Sequence, residues 1–151
     1  MANREYSHNT AKRSGSSEEA GIVADYDRRY CEAATEALLR VECTVLGSDF
    51  GVTSYTTLKQ AEELVARLQL GPGHRVLDLG SGAGWPGLHL AIASGCRLVG
   101  SDLALRGLLS TARRADIEGM ASRVAATLCS GRDLPFRRQS FDAVVHADFF
   151  C

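Results

Sequence analysis

Val76-Leu77-Asp78-Leu79-Gly80-Ser81-Gly82-Ala83-Gly84 carries an apolar run straight into a glycine-rich turn, and Pro86 follows where a helix would begin. Arg75 to Leu79 reads as a short buried strand, bounded upstream by Gly71-Pro72-Gly73. Proline suits a first helical turn because the N–H it lacks would be unpaired there, and the apolar residues Leu88, Leu90, Ala91 and Ile92 carry that helix to Gly95. Glycines between a strand and a helix let backbone approach a ligand without Cβ atoms in the way, and the helix N-terminus directs N–H groups outward. A nucleotide-like ligand follows. Gly82, Gly84 and Gly87 also satisfy the G-x-G-x-x-G spacing of dinucleotide sites, so the loop alone leaves a nicotinamide-dependent oxidoreductase open beside other nucleoside ligands.

Asp78 bears on that choice. An ionised carboxylate in an otherwise apolar strand costs several kcal/mol unless it is paired or hydrogen-bonded, and a pyrophosphate nearby would raise the cost. S-adenosylmethionine carries an ammonium and a sulfonium in place of phosphates, so an acidic residue beside the loop suits it; the competing reading has Asp78 capping loop amides. Asp102 lies about twenty residues beyond the loop, at the end of the next strand, where a carboxylate can accept from ribose hydroxyls or cap the following helix.

Downstream, Arg97 to Ser101, Arg123 to Cys129 and Phe141 to Ala147 read as three further strands. Leu105, Leu108, Leu109, Ala112 and Ile117 form an amphipathic helix between the first two of these. Upstream, Tyr26, Tyr30, Ala34, Ala37, Leu38 and Val41 recur at helical spacing and predict one lead helix from about Asp25 to Gly47. Thr57 and Gln60 are spaced as a capping box for a second helix, with Leu58, Ala61, Leu64, Val65 and Leu68 as its buried stripe. Alternating strands and helices imply a Rossmann-like three-layer α/β/α fold with a mostly parallel sheet, preceded by N-terminal helices. Three regions are expected: a flexible polar arm over 1–21, a helical cover over 22–55, and the Rossmann-like domain over 56–151.

The chain has 151 residues, 45% of them hydrophobic, enough for one globular core. Seventeen basic and 18 acidic residues give a formal net charge of −1, which implies no general attraction to nucleic acid or anionic membranes. Cys31, Cys43, Cys96, Cys129 and Cys151 are widely spaced without a C-x-x-C pair, so reduced thiols and a cytoplasmic location are expected, and no zinc site. His8, His74 and His89 share no spacing with cysteines or carboxylates that would make metal ligands. No apolar run approaches membrane-spanning length. Trp85, directly after the loop, reads either as cofactor shelter or as ordinary packing, and Tyr55-Thr56-Thr57 is placed to cover the cleft.

The loop segment, Asp102, Arg132-Asp133-Leu134-Pro135-Phe136 and Phe141-Asp142-Ala143-Val144-Val145 occur in an order that resembles class I S-adenosylmethionine-dependent methyltransferases of the small-molecule branch, over roughly residues 56 to 151. The resemblance implies that Asp78 with Gly80, Ser81, Gly82, Ala83 and Gly84 holds the methionine part, that Asp102 with Leu103 holds the ribose, and that Ser130, Gly131 and Arg132 meet the adenine. Ser130 stands where the family often has an acidic or amide residue, so adenine contact would rest more on backbone. His146, at the end of the fourth strand, is the candidate base and a candidate cofactor contact, with a packing role as the alternative. The implied acceptor is a small molecule; no Asn-Pro-Pro-Tyr-like element follows the fourth strand, which argues against the amino-methylating nucleic-acid branch, and no basic aromatic surface is visible in the sequence. The family has seven strands and four are placed here, so the sheet is expected to be incomplete, with the fourth strand an exposed edge for a second copy or a partner chain. A truncated, non-catalytic cofactor-binding module is the alternative reading.

Overall fold

The computed structural model describes residues 17–33, 35–47 and 54–148. Helices α1 (Ser17–Ala33) and α2 (Glu36–Leu46) lead into α3 (Leu58–Leu68), followed by β1 (Arg75–Leu79), α4 (Gly87–Ser94), β2 (Arg97–Asp102), α5 (Leu105–Ile117), β3 (Val124–Leu128) and β4 (Ala143–Val145). The sheet order is β3-β2-β1-β4, and every pairing is parallel. This is the Rossmann-like arrangement that the alternating strands and helices predict.

Parallel strands buried from both sides show little alternation in sequence, and the register assigns their faces. Val76 pairs with Leu98 and Ala143, while Leu98 pairs with Val124. These side chains, with Val145, meet Leu64, Val65 and Leu68 of α3, Leu88, Leu90 and Ala91 of α4, and Ala115 of α5 in one core. On the other face of the sheet, Leu77 and Val144 line one pocket with Leu134, Phe136 and Phe141, and the two phenylalanine rings stand edge to face at 5.0 Å. Among the described residues nothing pairs with the outer edge of β4, where Val144 is 59% exposed.

The capping box of α3 forms as expected: the Gln60 N–H donates to Thr57 Oγ1 at 3.3 Å and the Thr57 N–H donates to Gln60 Oε1 at 2.8 Å. Pro86 is the N-cap residue of α4, one position ahead of its expected place in the first turn. The strands at the flanks are shorter than expected. At β4 the Asp142 carboxylate accepts from the Arg75 N–H at 2.7 Å, which holds the chain just before the ladder begins.

The expected single lead helix is two. Thr35 takes an extended conformation (φ −73°, ψ 146°) as the N-cap of α2 and interrupts it. Leu38 and Val41, expected on one face of that lead helix, are 47% and 57% exposed in α2. α1 begins at Ser17, so the last part of the expected flexible arm is helical. The apolar spacing of Tyr26 and Tyr30 continues upstream through Ile22 and Val23, which gives this segment a surface to cover. The rest of the arm, residues 1–16, lies outside the described residues, as do Phe149, Phe150 and Cys151.

Candidate functional site

A cavity of about 640 Å³ opens over the carboxyl ends of the strands, a size typical of small-molecule sites. The glycine loop forms its floor. Gly80 and Ser81 donate their N–H groups to Ser101 O at 2.8 and 3.0 Å, Gly82 N–H donates to Asp102 Oδ2 at 2.8 Å, and Thr111 Oγ1 donates to Gly82 O at 2.9 Å. The turn takes positive φ at Gly82 (49°) and Gly84 (95°), where a side chain would be strained. Tyr30 of α1 closes over Gly82, its hydroxyl where a Cβ on that glycine would stand. From below, Gly107 of α5 packs so tightly that an added Cβ would lie 2.8–3.0 Å from the Gly82 backbone.

Asp102 is the residue that caps. Its Oδ1 accepts from Ala104 N–H at 2.8 Å while Oδ2 holds Gly82, so one carboxylate ties the loop to the start of α5. Each oxygen keeps a lone pair for a further donor. Asp78 caps none of these loop amides. It shares the face of Val76, lies fully buried behind the loop and under Gly87 at the start of α4, and neither carboxylate oxygen has a hydrogen-bond partner of normal geometry. Burial, then the nearby Asp102 charge, raise its pKa to about 7, against a weak offset from the Gly87 N–H. Burial also pushes the Cys129 thiol up, with Asp102 adding to the effect and Ser101 opposing it.

Nine expected site residues converge on the cavity wall: Gly80, Ser81, Gly82, Ala83, Asp102, Leu103, Ser130, Gly131 and Arg132. Asp78, Gly84 and His146 are not on it. His146 is exposed one residue beyond β4, and the wall there is made by its neighbours Ala147 and Asp148. Trp85 is buried on the wall, with its Nε1–H donating to Thr56 O at 2.7 Å. The covering segment expected at Tyr55-Thr56-Thr57 reaches the site chiefly through Ser54 and backbone, while the Tyr55 ring points to solvent.

The sequence reading missed Glu19, Ile22, Val23, Tyr26 and Tyr30 of α1, along with Ser54 and Asp148. The α1 residues carry the helical spacing that signals a buried stripe, and spacing alone does not say whether a stripe meets core or cavity. Asp148 had no motif around it. Among the described lining residues the ionisable side chains beside the thiol and phenols are acidic Glu19, Asp102 and Asp148 and basic Arg132. A glycine loop with Asp102 and Asp78 around it, and Arg132 as the one basic side chain on the wall among the described residues, suits a cationic ligand better than a pyrophosphate. No group of three or more His, Cys, Asp or Glu among the described residues could hold a metal ion, and no described helix is long and apolar enough to cross a membrane.

Comparison with known proteins gives the family. A methyltransferase domain family model matches residues 76–151. Methyltransferase GfsG of Streptomyces halstedii is 37% identical over 87 residues, 57% of this chain and 31% of that protein. Demethylmenaquinone methyltransferase of Mycobacterium sp. (strain KMS) is 40% identical over 82 residues, 54% of this chain and 32% of that protein. The chain thus spans about a third of the length of these curated relatives. Among solved structures, a SAM-dependent methyltransferase from Thiobacillus denitrificans in complex with S-adenosyl-L-homocysteine superposes with a TM-score of 0.58 at 26% identity, covering 71% of this chain and 42% of that one. Since the family match takes in half the chain, including the strand, loop and strand ends that build the cavity, the chain belongs to the methyltransferase domain family.

Proposed function

We propose that this chain binds S-adenosylmethionine and forms the cofactor-binding part of a methyltransferase that acts on a small molecule. The observation that carries the reading is the convergence of Gly80–Ala83, Asp102, Leu103 and Ser130–Arg132 on one cavity with an acidic bias. In this reading the Gly80–Ala83 backbone receives the methionine part, Asp102 accepts from the ribose hydroxyls while still capping Gly82 and Ala104, and Ser130–Arg132 border the adenine. Asp78, behind the loop, acts on the ligand through space as a carboxylate whose ionisation a cation favours. When bound, the cofactor supplies a methyl group on an activated carbon, so the protein contributes mainly by holding and orienting the reactants. His146 would serve as base only by turning inward from its place beside the wall.

The acceptor is a small molecule and not nucleic acid, in keeping with a wall whose only basic side chain among the described residues is Arg132. The open edge of β4 is where a strand of a second copy or a partner chain would pair. Reduced thiols at Cys31, Cys43, Cys96 and Cys129 support a cytoplasmic location. Calorimetric titration with S-adenosylhomocysteine and with NAD tests the cofactor: saturable binding of the first and none of the second is expected, and the reverse overturns the proposal.

A further inference from the structure

Resting on that cofactor reading, we infer that Asp148 makes the β4 end of the cavity a subsite for an uncharged acceptor with an apolar body and a hydroxyl or N–H donor, and that it excludes anionic acceptors. The sheet order divides the cavity. The ends of β2 and β3 bring Asp102 and Ser130–Arg132 to one side of the glycine loop, while Ala147 and Asp148 lie beyond β4 on the other. The two outer strands, β3 and β4, are separated by three strand spacings, roughly 14 Å at about 4.8 Å each. The acceptor end therefore lies apart from the place proposed for adenine and ribose, and far from Arg132.

The Asp148 carboxylate is held in position. Its Oδ2 accepts from Ser54 Oγ at 2.8 Å and from Tyr55 N–H at 3.0 Å, and the backbone of Asp148 is itself fixed in the left-handed region at φ 57°. Both bonds use one oxygen and leave Oδ1 to receive a donor from a ligand. Asp148 is exposed, and the cavity wall it shares carries Trp85 and the α1 residues Ile22, Val23 and Tyr26 beside acidic Glu19. Trp85 has its N–H committed to Thr56 O, so it presents only ring surface. Ile22, Val23 and Tyr26 of α1 line the same cavity, and Ile22 is half-exposed. A positioned carboxylate in a cavity that also offers the Trp85 ring and the α1 apolar side chains rewards one hydrogen-bond donor on an apolar body. An anionic group at the same place would meet the like charge of Asp148, and the one basic side chain among the described lining residues, Arg132, lies past β3 at the other side of the sheet.

Two probes with the same naphthalene body separate these cases: 2-naphthol, neutral at pH 7.5, and 2-naphthoate, anionic there. The full chain is saturated with S-adenosylhomocysteine and each probe is titrated calorimetrically. Wild type is expected to bind 2-naphthol at least tenfold more tightly than 2-naphthoate. Asp148→Asn should bring the ratio below threefold, and Asp148→Glu should restore most of it, which separates lost charge from lost folding. Equal affinities in wild type, no binding of 2-naphthol, or an unchanged ratio in Asp148→Asn overturns the inference while the cofactor reading stands. Failure of S-adenosylhomocysteine to bind wild type brings down both.

Discussion

Asp78 sits fully buried without a hydrogen-bond partner of normal geometry for either oxygen, and its pKa is raised to about 7 from the ordinary 3.8, chiefly by burial. Between those two values the folded chain holds a proton that the unfolded chain has released, so stability falls as pH rises from about 4 to about 7 and levels off above. About three units of difference set an upper bound of about 4 kcal/mol on this contribution. Thermal melts of the ligand-free chain from pH 5 to 8 should therefore show a declining Tm, and Asp78→Asn should flatten that decline; a wild-type Tm that is level or rises across the interval contradicts the assignment. The sequence made Asp78 conspicuous but left its direction open. A central parallel strand buried on both faces has no alternation to show which face the helices take, and the register is what puts Asp78 with Val76 under α4.

At the level of elements, α5 and the glycine loop are built as one piece. Gly107 is the contact, and its signal in the sequence is only a glycine inside a helix, where alanine would be favoured by about 1 kcal/mol on propensity. A Cβ there meets the Gly82 backbone at 2.8–3.0 Å, and backbone cannot yield as a side chain tip can. Overpacking of this kind costs about 1–3 kcal/mol, which leaves a net cost of up to about 2 kcal/mol after the propensity gain. Gly107→Ala is expected to lower stability in urea denaturation by that net amount and to weaken S-adenosylhomocysteine binding at least tenfold by calorimetry. The capping box of α3 was legible because both partners lie within four residues, and Thr57→Ala should cost about 1 kcal/mol in the same denaturation assay. The division of the lead segment into α1 and α2 was not legible, because Thr35 is compatible with a helix and nothing local marks it as a break.

Across the whole molecule, the cavity draws its wall from α1, the segment around Ser54, the glycine loop and the ends of three further strands, so a ligand there joins distant parts of the chain. The strand-borne half of this site was readable from motifs, since short spacing fixes a loop to its strand. The half supplied by α1 and Ser54 depends on long-range packing, such as the Arg106 N–H donating to Asp27 Oδ1 at 2.8 Å, which no local pattern encodes. Saturation with S-adenosylhomocysteine at a hundred times its Kd should stabilise the fold by about 2.7 kcal/mol. Hydrogen exchange should slow together in Tyr26–Tyr30, the glycine loop and residues 129–132, with α2 unaffected; protection confined to the loop would mean that α1 does not roof the ligand. Trp85 adds a practical consequence. It is the single tryptophan of the chain, buried in the wall with its indole N–H fixed to the covering segment. Intrinsic fluorescence of the unlabelled protein is therefore an optical gauge of this cavity: emission should shift to longer wavelength when the segment lifts and water reaches the indole, and change again as a ligand settles beside it.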